Sequence, residues 1–359
     1  MKKVIVVPGD NGACGYYRMI QPAMVLNAMS KEIKCIISPG EIIMVNDVDI
    51  LYIQRCCSEN LLTVLAKVKS QTNKLKVYVD FDDLLFSSKD GSLPSYNLCR
   101  NNVDFESNGK ALRKYKSVID RISVSTKTLK DILVKEYGFE ETQVWVIPNM
   151  LSRHAYHWPR KFIDKDIERP KVLLAGSNTH YDPVNKTYGD FPVDLVEYIN
   201  HNTDINIMGQ KPFFIDKCNI KPWVNMIQYP LSFLEDNSDF VISPLKNNVF
   251  NRSKSNLKML ETCAAGKVFI GSYFQASPYS DEHDLVKLNE TGNNIGKIIG
   301  NLKDKDKYNE VLEYQYKYIN TAAHSRRSPI QAKCGTEAPS RQERTSTSAA
   351  RATKRKNWP

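Results

Sequence analysis

The chain has 359 residues, 42% hydrophobic and 10% aromatic, which fits two globular domains and excludes a disordered polymer. No apolar run approaches the ~20 residues of a membrane-spanning helix, and Val4–Val7 is too short for a signal-peptide core, so a cytoplasmic protein is expected. Of the net charge of +10, residues 324–359 supply +7 (nine Lys or Arg against two acids), so the nearly neutral body argues against a broad nucleic-acid-binding face.

Apolar runs at Val4–Val7, Ile33–Ile37, Ile50–Ile53, Val77–Val79, Ile122–Val124 and Val144–Ile147 predict buried parallel strands. Helical patterns near 16–29, 59–70, 108–118 and 127–137 fall between them, and such βαβ units build a sheet covered on both faces. Pro22 predicts a kink or a helix start. The turn after the first strand carries Gly9, Gly12 and Gly15 but lacks the Gly-x-Gly-x-x-Gly spacing, which disfavours a dinucleotide. Gly12 and Gly15 would let backbone amides approach an anion, with Arg18 one turn on as a phosphate or acceptor contact; a plain strand-to-helix turn accounts for them equally. Asp80, Asp82 and Asp83 crowd the end of the fourth strand, where Asp80-Phe81-Asp82 suits either a divalent cation or the capping of a turn. Thr126 could cap the next helix, and Pro148-Asn149 closes this half.

Residues 150–169 have no clear period and read as a linker between domains at 1–149 and 170–323. The second domain is expected to hold strands at Val172–Ala175, Ile205–Met208, Asn225–Tyr229, Phe240–Ile242 and Val268–Ile270, with helices near 191–201, 231–236, 254–265, 291–300 and 306–319. After its first strand, Gly176 and Ser177 form a turn whose amides could cradle a diphosphate. His180 and Asp182 follow as catalytic candidates for acid or base work, although a loop histidine can equally be structural. Phe250 to Glu261 reads as a helix entry in which Lys254, Leu257, Lys258 and Glu261 share one face. Lys254 and Lys258 would meet donor phosphates at the positive end of the helix, Glu261 a donor hydroxyl, and Arg252 the phosphates again. An amphipathic helix with solvated lysines is the plainer alternative.

The Pro244–Ile270 segment resembles the donor-binding helix of GT-B glycosyltransferases, and is most similar to retaining family 4 and its bacteriophage relatives. The family pattern sets two glutamates eight positions apart; Glu261 matches the second, and Ser253 stands at the first. The motif order over roughly residues 1–320 follows the same pattern. The resemblance implies two Rossmann-like α/β domains facing across a cleft, with Gly12, Gly15, Arg18, Asp80 and Asp82 on the acceptor side. Gly176, Ser177, Arg252, Lys254, Lys258 and Glu261 would bind the donor. It implies a hexosyl or pentosyl transferase that moves sugar from a nucleotide diphosphate-sugar to a hydroxyl of a glycan, protein or modified DNA base, with no metal and no cofactor beyond the donor. Two rival readings are a metal-dependent enzyme using Asp80 and Asp82, as in GT-A glycosyltransferases, and a non-catalytic glycan- or nucleotide-binding module.

Eight cysteines without a Cys-x-x-Cys pair suggest reduced thiols and no zinc site. Residues 324–359, rich in Arg, Ser and Thr with Trp358 their sole aromatic, are expected to be disordered. A basic arm or a non-native ending, such as a frameshift, would explain the change of composition.

Overall fold

The computed structural model describes residues 1–38, 47–72, 74–89, 104–151, 159, 161–176 and 178–324. The predicted tail therefore lies, but for His324, outside the described residues, as do Ser177 and residues 152–158 and 160 of the predicted linker. Residues 1–320 form one compact unit.

Two six-stranded parallel sheets organise it. The first contains β1 (Lys2–Val7), β2 (Ile33–Ile37), β3 (Ile50–Gln54), β4 (Lys76–Phe81), β5 (Arg121–Val124) and β6 (Val144–Val146) in the order β2-β1-β3-β4-β5-β6. The second contains β7 (Lys171–Gly176), β8 (Asp204–Gly209), β9 (Asn219–Lys221), β10 (Phe240–Ser243), β11 (Val268–Ser272) and β12 (Lys287–Leu288) in the order β12-β11-β10-β7-β8-β9. The expected α/β architecture of two Rossmann-like sheets is present.

Side chains alternate between sheet faces, and the alternation decides the cores. On β1, Ile5 and Val7 enter one cluster while Val4 and Val6 enter another. On β10 and β11, Phe240, Ile242, Val268 and Ile270 enter one cluster, and Val241 and Phe269 the opposite one. Strands apolar on both faces need helices on both sides, which explains the parallel layout.

Two expectations are corrected. Asn225–Tyr229 is not a strand; it is a turn leading into the helix Tyr229–Glu235, and the edge strand is β9 instead. The helix predicted at 254–265 starts only at Leu257 and ends at Ala264, so Lys254, where ψ is 154°, lies outside it, at the end of a separate short helix Val249–Ser253. Pro22 stands in the first turn of Gln21–Met29, which continues from Ala13–Gly15 and the wider π turn Tyr16–Ile20.

The halves are locked by exchanged aromatics. Val249 and Phe250 of the second half pack in the core of the first, whereas Tyr17 of the first packs in a core of the second. Burying a Phe side chain contributes about 1.5–3 kcal/mol. Thr126 Oγ1 donates to Ser253 O at 2.9 Å, and Asn149 Nδ2 donates to Ser255 Oγ at 2.7 Å. The break at Lys254 is thus held by groups that end β5 and β6. No helix among the described residues is long and apolar enough to cross a membrane.

Candidate functional site

The carboxyl ends of β1, β3 and β4 gather an acidic floor. Asp80 is fully buried and accepts from Arg18 through both oxygens, from Tyr52 and from Ser123. Arg18 also donates to Ile147 O and to Asn149 Oδ1. The expected roles of Arg18 and Asp80 as acceptor contacts are therefore corrected: each neutralises the other inside the first half, and this pair ties β4 to the end of β6.

Asp82 has its own guanidinium. Arg55 Nε and Nη2 donate to its two oxygens at 2.8 and 2.7 Å, while Arg55 Nη1 reaches Asp10 at 2.9 Å. Burial pulls the Arg55 guanidinium down, and Asp82 together with its other neighbours, Asp83 among them, more than offsets this, so the residue stays charged. Arg55 has φ 58°, a left-handed backbone that bulky residues rarely adopt.

Asp10 in turn accepts from the amides of Gly12 and Gly15, both at 2.9 Å. A Cβ on Gly15 would lie 1.9 Å from Asp10 O, so only glycine fits. The glycine-rich turn is corrected from a free anion cradle to one filled by the chain's own carboxylate.

Asp83 is the acid left over. It is one quarter exposed, and Arg55 Nη2 stands 3.7 Å away, too far for a hydrogen bond. Burial pushes the Asp83 carboxyl up; the Lys254 ammonium opposes this, Asp82 adds to it, and Arg55 and His180 pull it back down. Lys254 and His180 belong to the second half, so Asp83 looks across to it.

On that side a narrow cavity of about 40 Å³ is lined by Gly176, His180, Tyr181, Gln210, Ser243 and Pro244, at the ends of β7, β8 and β10. Ligands in open parallel sheets bind beyond these strand ends. His180 Nδ1 lies 2.8 Å from Asp190 Oδ2. A carboxylate only accepts, so Nδ1 carries the proton and Nε2 remains for the cavity. Asp190 is buried and also accepts from Lys246 N and Asn251 Nδ2, while Asn251 Oδ1 is buried with no hydrogen-bond partner among the described residues. Asp182 is corrected from an acid–base candidate to the organiser of a turn: it is buried and accepts from Val184 N, Asn185 N and Asn185 Nδ2.

The expected donor helix is divided in use as well as in shape. Lys254 Nζ sits 4.9 Å from the Phe250 ring centre and makes no ion pair or hydrogen bond among the described residues. Lys258 donates to Glu261 Oε2 at 2.7 Å and to Tyr229 at 2.9 Å, which leaves one of its three donors. Glu261 is 2% exposed and accepts from Tyr17 at 2.9 Å. Its expected bond to a donor hydroxyl is corrected to a buried link between the halves. Arg252 is half-buried and donates to Asn247 at 2.9 Å.

Two metal arrangements can be weighed on chemistry. Asp80 and Asp82 face different guanidinium groups, so they do not make a shared chelating pair. Cys14, Asp82 and Asp83 each bring a donor atom within 4.8 Å of the others, but Arg55 already occupies both oxygens of Asp82. A divalent cation does not fit beside that guanidinium. Nothing in the sequence points to Arg55 or Asp190, and Asp83 shows there only as a third carboxylate beside the Asp-x-Asp, without a role of its own.

No protein-family model matches the sequence, and no curated protein matches it at a significant level. Among solved structures, a glycosyltransferase from Rickettsia africae aligns with TM-score 0.60 at 13% identity, over 89% of this chain and 93% of its own. The Anabaena protein HepE, solved with UDP, aligns with TM-score 0.56 at 9% identity, over 89% and 95%. The T4 phage protein BGT, solved with UDP and Mn2+, aligns with TM-score 0.52 at 15% identity, over 90% and 95%. The chain therefore has the GT-B fold.

Proposed function

We propose that the protein transfers a sugar from a nucleotide diphosphate-sugar to an acceptor hydroxyl between the two sheets. The observation that carries this is Asp83, a carboxylate of the first half with no hydrogen-bond partner among the described residues, within electrostatic reach of Lys254 and His180 of the second. The resemblance of the Pro244–Ile270 segment and the GT-B fold support the same reading, and the UDP found with two of the neighbours makes UDP the first nucleotide to try.

In this reading the nucleotide lies over Gly176 and the cavity beside His180, with its diphosphate between His180 and Lys254. Asp83 takes the proton of the acceptor hydroxyl, whose oxygen bonds to the anomeric carbon. The bond from that carbon to the diphosphate oxygen breaks, and the nucleoside diphosphate leaves with the electron pair. Lys254, the spare donor of Lys258 and His180 stabilise the charge that develops on it. Asp190 holds the His180 ring in place. Burial helps Asp83 as a base, since it keeps water from competing for its charge.

This chemistry is a single displacement and inverts the anomeric centre. Family 4 chemistry retains it; Ser253 at the first glutamate position and the burial of Glu261 favour inversion here. The test has two arms. UDP, GDP, ADP and TDP are screened by thermal shift, with UDP expected to raise the melting temperature by mass action. Asp83→Asn is then expected to cut transfer by about 10²–10⁴-fold while UDP still binds. Transfer by Asp83→Asn within about twofold of the parent chain, against that range, would overturn the assignment of the base.

A further inference from the structure

We propose that the first half takes a hydroxyl-rich, uncharged acceptor, a glycan residue, in the cavity beside Arg55; this rests on the transferase reading above. The cavity measures about 410 Å³ and is lined by Arg55, Ser58, Asn60, Leu85, Asp104 and Ser107 among others. That volume falls within the range of small-molecule pockets.

Its position suits an acceptor. Arg55 forms part of the wall, and its Nη2 lies 3.7 Å from Asp83. One guanidinium thus borders both the cavity and the carboxylate that would take the proton.

Its chemistry chooses the class. Ser58 stands at the start of the helix Glu59–Gln71 but makes no side-chain capping bond, so its hydroxyl can serve a ligand. Asn60 offers an amide that both donates and accepts. Asp104 accepts from the Ser107 amide and hydroxyl, which fixes its carboxylate at the wall. Leu85 and Cys57 add an apolar surface for the non-polar face of a sugar ring. A ring of hydroxyls needs such mixed donors and acceptors.

Charge disfavours a nucleic acid. Arg55 is already shared among Asp10, Asp82 and Asp83, and Glu59, whose carboxylate holds Lys114 at 2.6 Å, adds another acid beside Asp104. Acids outnumber cations around the cavity, so a phosphate chain would meet repulsion where it must enter.

The experiment uses the full chain with saturating UDP. Binding of p-nitrophenyl glycosides of glucose, galactose and N-acetylglucosamine is measured by saturation-transfer NMR and titration, with a DNA duplex oligonucleotide in parallel. At least one glycoside is expected to bind saturably, and Asn60→Trp, which fills the cavity, to weaken it by about tenfold or more. Ser58→Ala is a milder second variant, expected to weaken the same glycoside without altering the fold. Absence of binding by every glycoside, tighter binding of the duplex, or unchanged glycoside affinity in both variants each overturns the proposal. Failure of UDP itself to bind the parent chain would instead bring down the transferase reading, and the acceptor assignment with it.

Discussion

Two adjacent carboxylates of one strand end have opposite uses, and their partners decide which. Asp80 lies at 0% exposure against Arg18 at 5%, and burial pulls the Arg18 guanidinium down while Asp80, helped by Tyr52 and Asp82, raises it to a net gain. Removing one member leaves a buried charge uncompensated, which costs ~3–5 kcal/mol. Arg18→Met is therefore expected to lower stability by about that amount in urea unfolding, with Asp83→Asn changing it far less. A loss of transfer in Arg18→Met at full stability would mean that Arg18 touches substrate after all. The sequence shows three acids within four residues but not which arginine each meets, because Arg18 and Arg55 lie 62 and 27 residues away from their partners. Asp190 was hidden for a similar reason: its importance comes from His180 and Asn251, which converge on it only in the fold.

At the scale of elements, the strands with continuous apolar runs were legible, since a strand buried on both faces must be apolar at every position. The edge strands of the second sheet were not. β9 has three residues and β12 two, so neither leaves a period to read, and the apolar residues of 225–229 suggested a strand where the chain turns. The broken donor helix escaped because its face pattern continues through the break, which is fixed by Thr126 and Asn149 from the other half. The glycine-rich turn is the element most open to test. In Gly15→Ala the new Cβ meets the Asp10 carbonyl at 1.9 Å, a clash that backbone movement must relieve. Overpacking of this kind costs about 1–3 kcal/mol, and it should also draw Asp10 away from Arg55. Chemical denaturation of Gly15→Ala is expected to show that loss; an unchanged midpoint would mean the turn is loose enough to absorb a methyl group.

Across the whole molecule, burial of charge in the second half shapes the dependence of stability on pH, and two groups act in opposite directions. Glu282 is 3% exposed, and burial raises its carboxyl well above the ordinary 4.5, with only weak opposition from the Gly271 amide and Lys287. The folded state then holds a proton that the unfolded chain releases. Its contribution is complete below the ordinary value and shrinks as pH climbs through the raised one. Lys267 is also 3% exposed, and burial lowers its ammonium to about 8 although Asp236 pushes it up. Here the unfolded chain holds the proton longer. Below about 8 the charged lysine is a full burden on the fold, and the burden lifts as pH rises from there to the ordinary 10.5. The gap is worth roughly 3 kcal/mol. Lys267→Met removes the titration, although it also strands the Asp236 and Ser238 carbonyls that accept from the ammonium; that loss is independent of pH and shifts the whole curve. The stability difference between parent and Lys267→Met should therefore change between pH 8 and 10.5 in favour of the parent, while the difference for Glu282→Gln should change from weakly acid pH upward in favour of the variant. Parallel curves for parent and Lys267→Met over that alkaline range would show that the lysine is not held in a charge-averse site. The two slopes separate because one group binds its proton more tightly on folding and the other less.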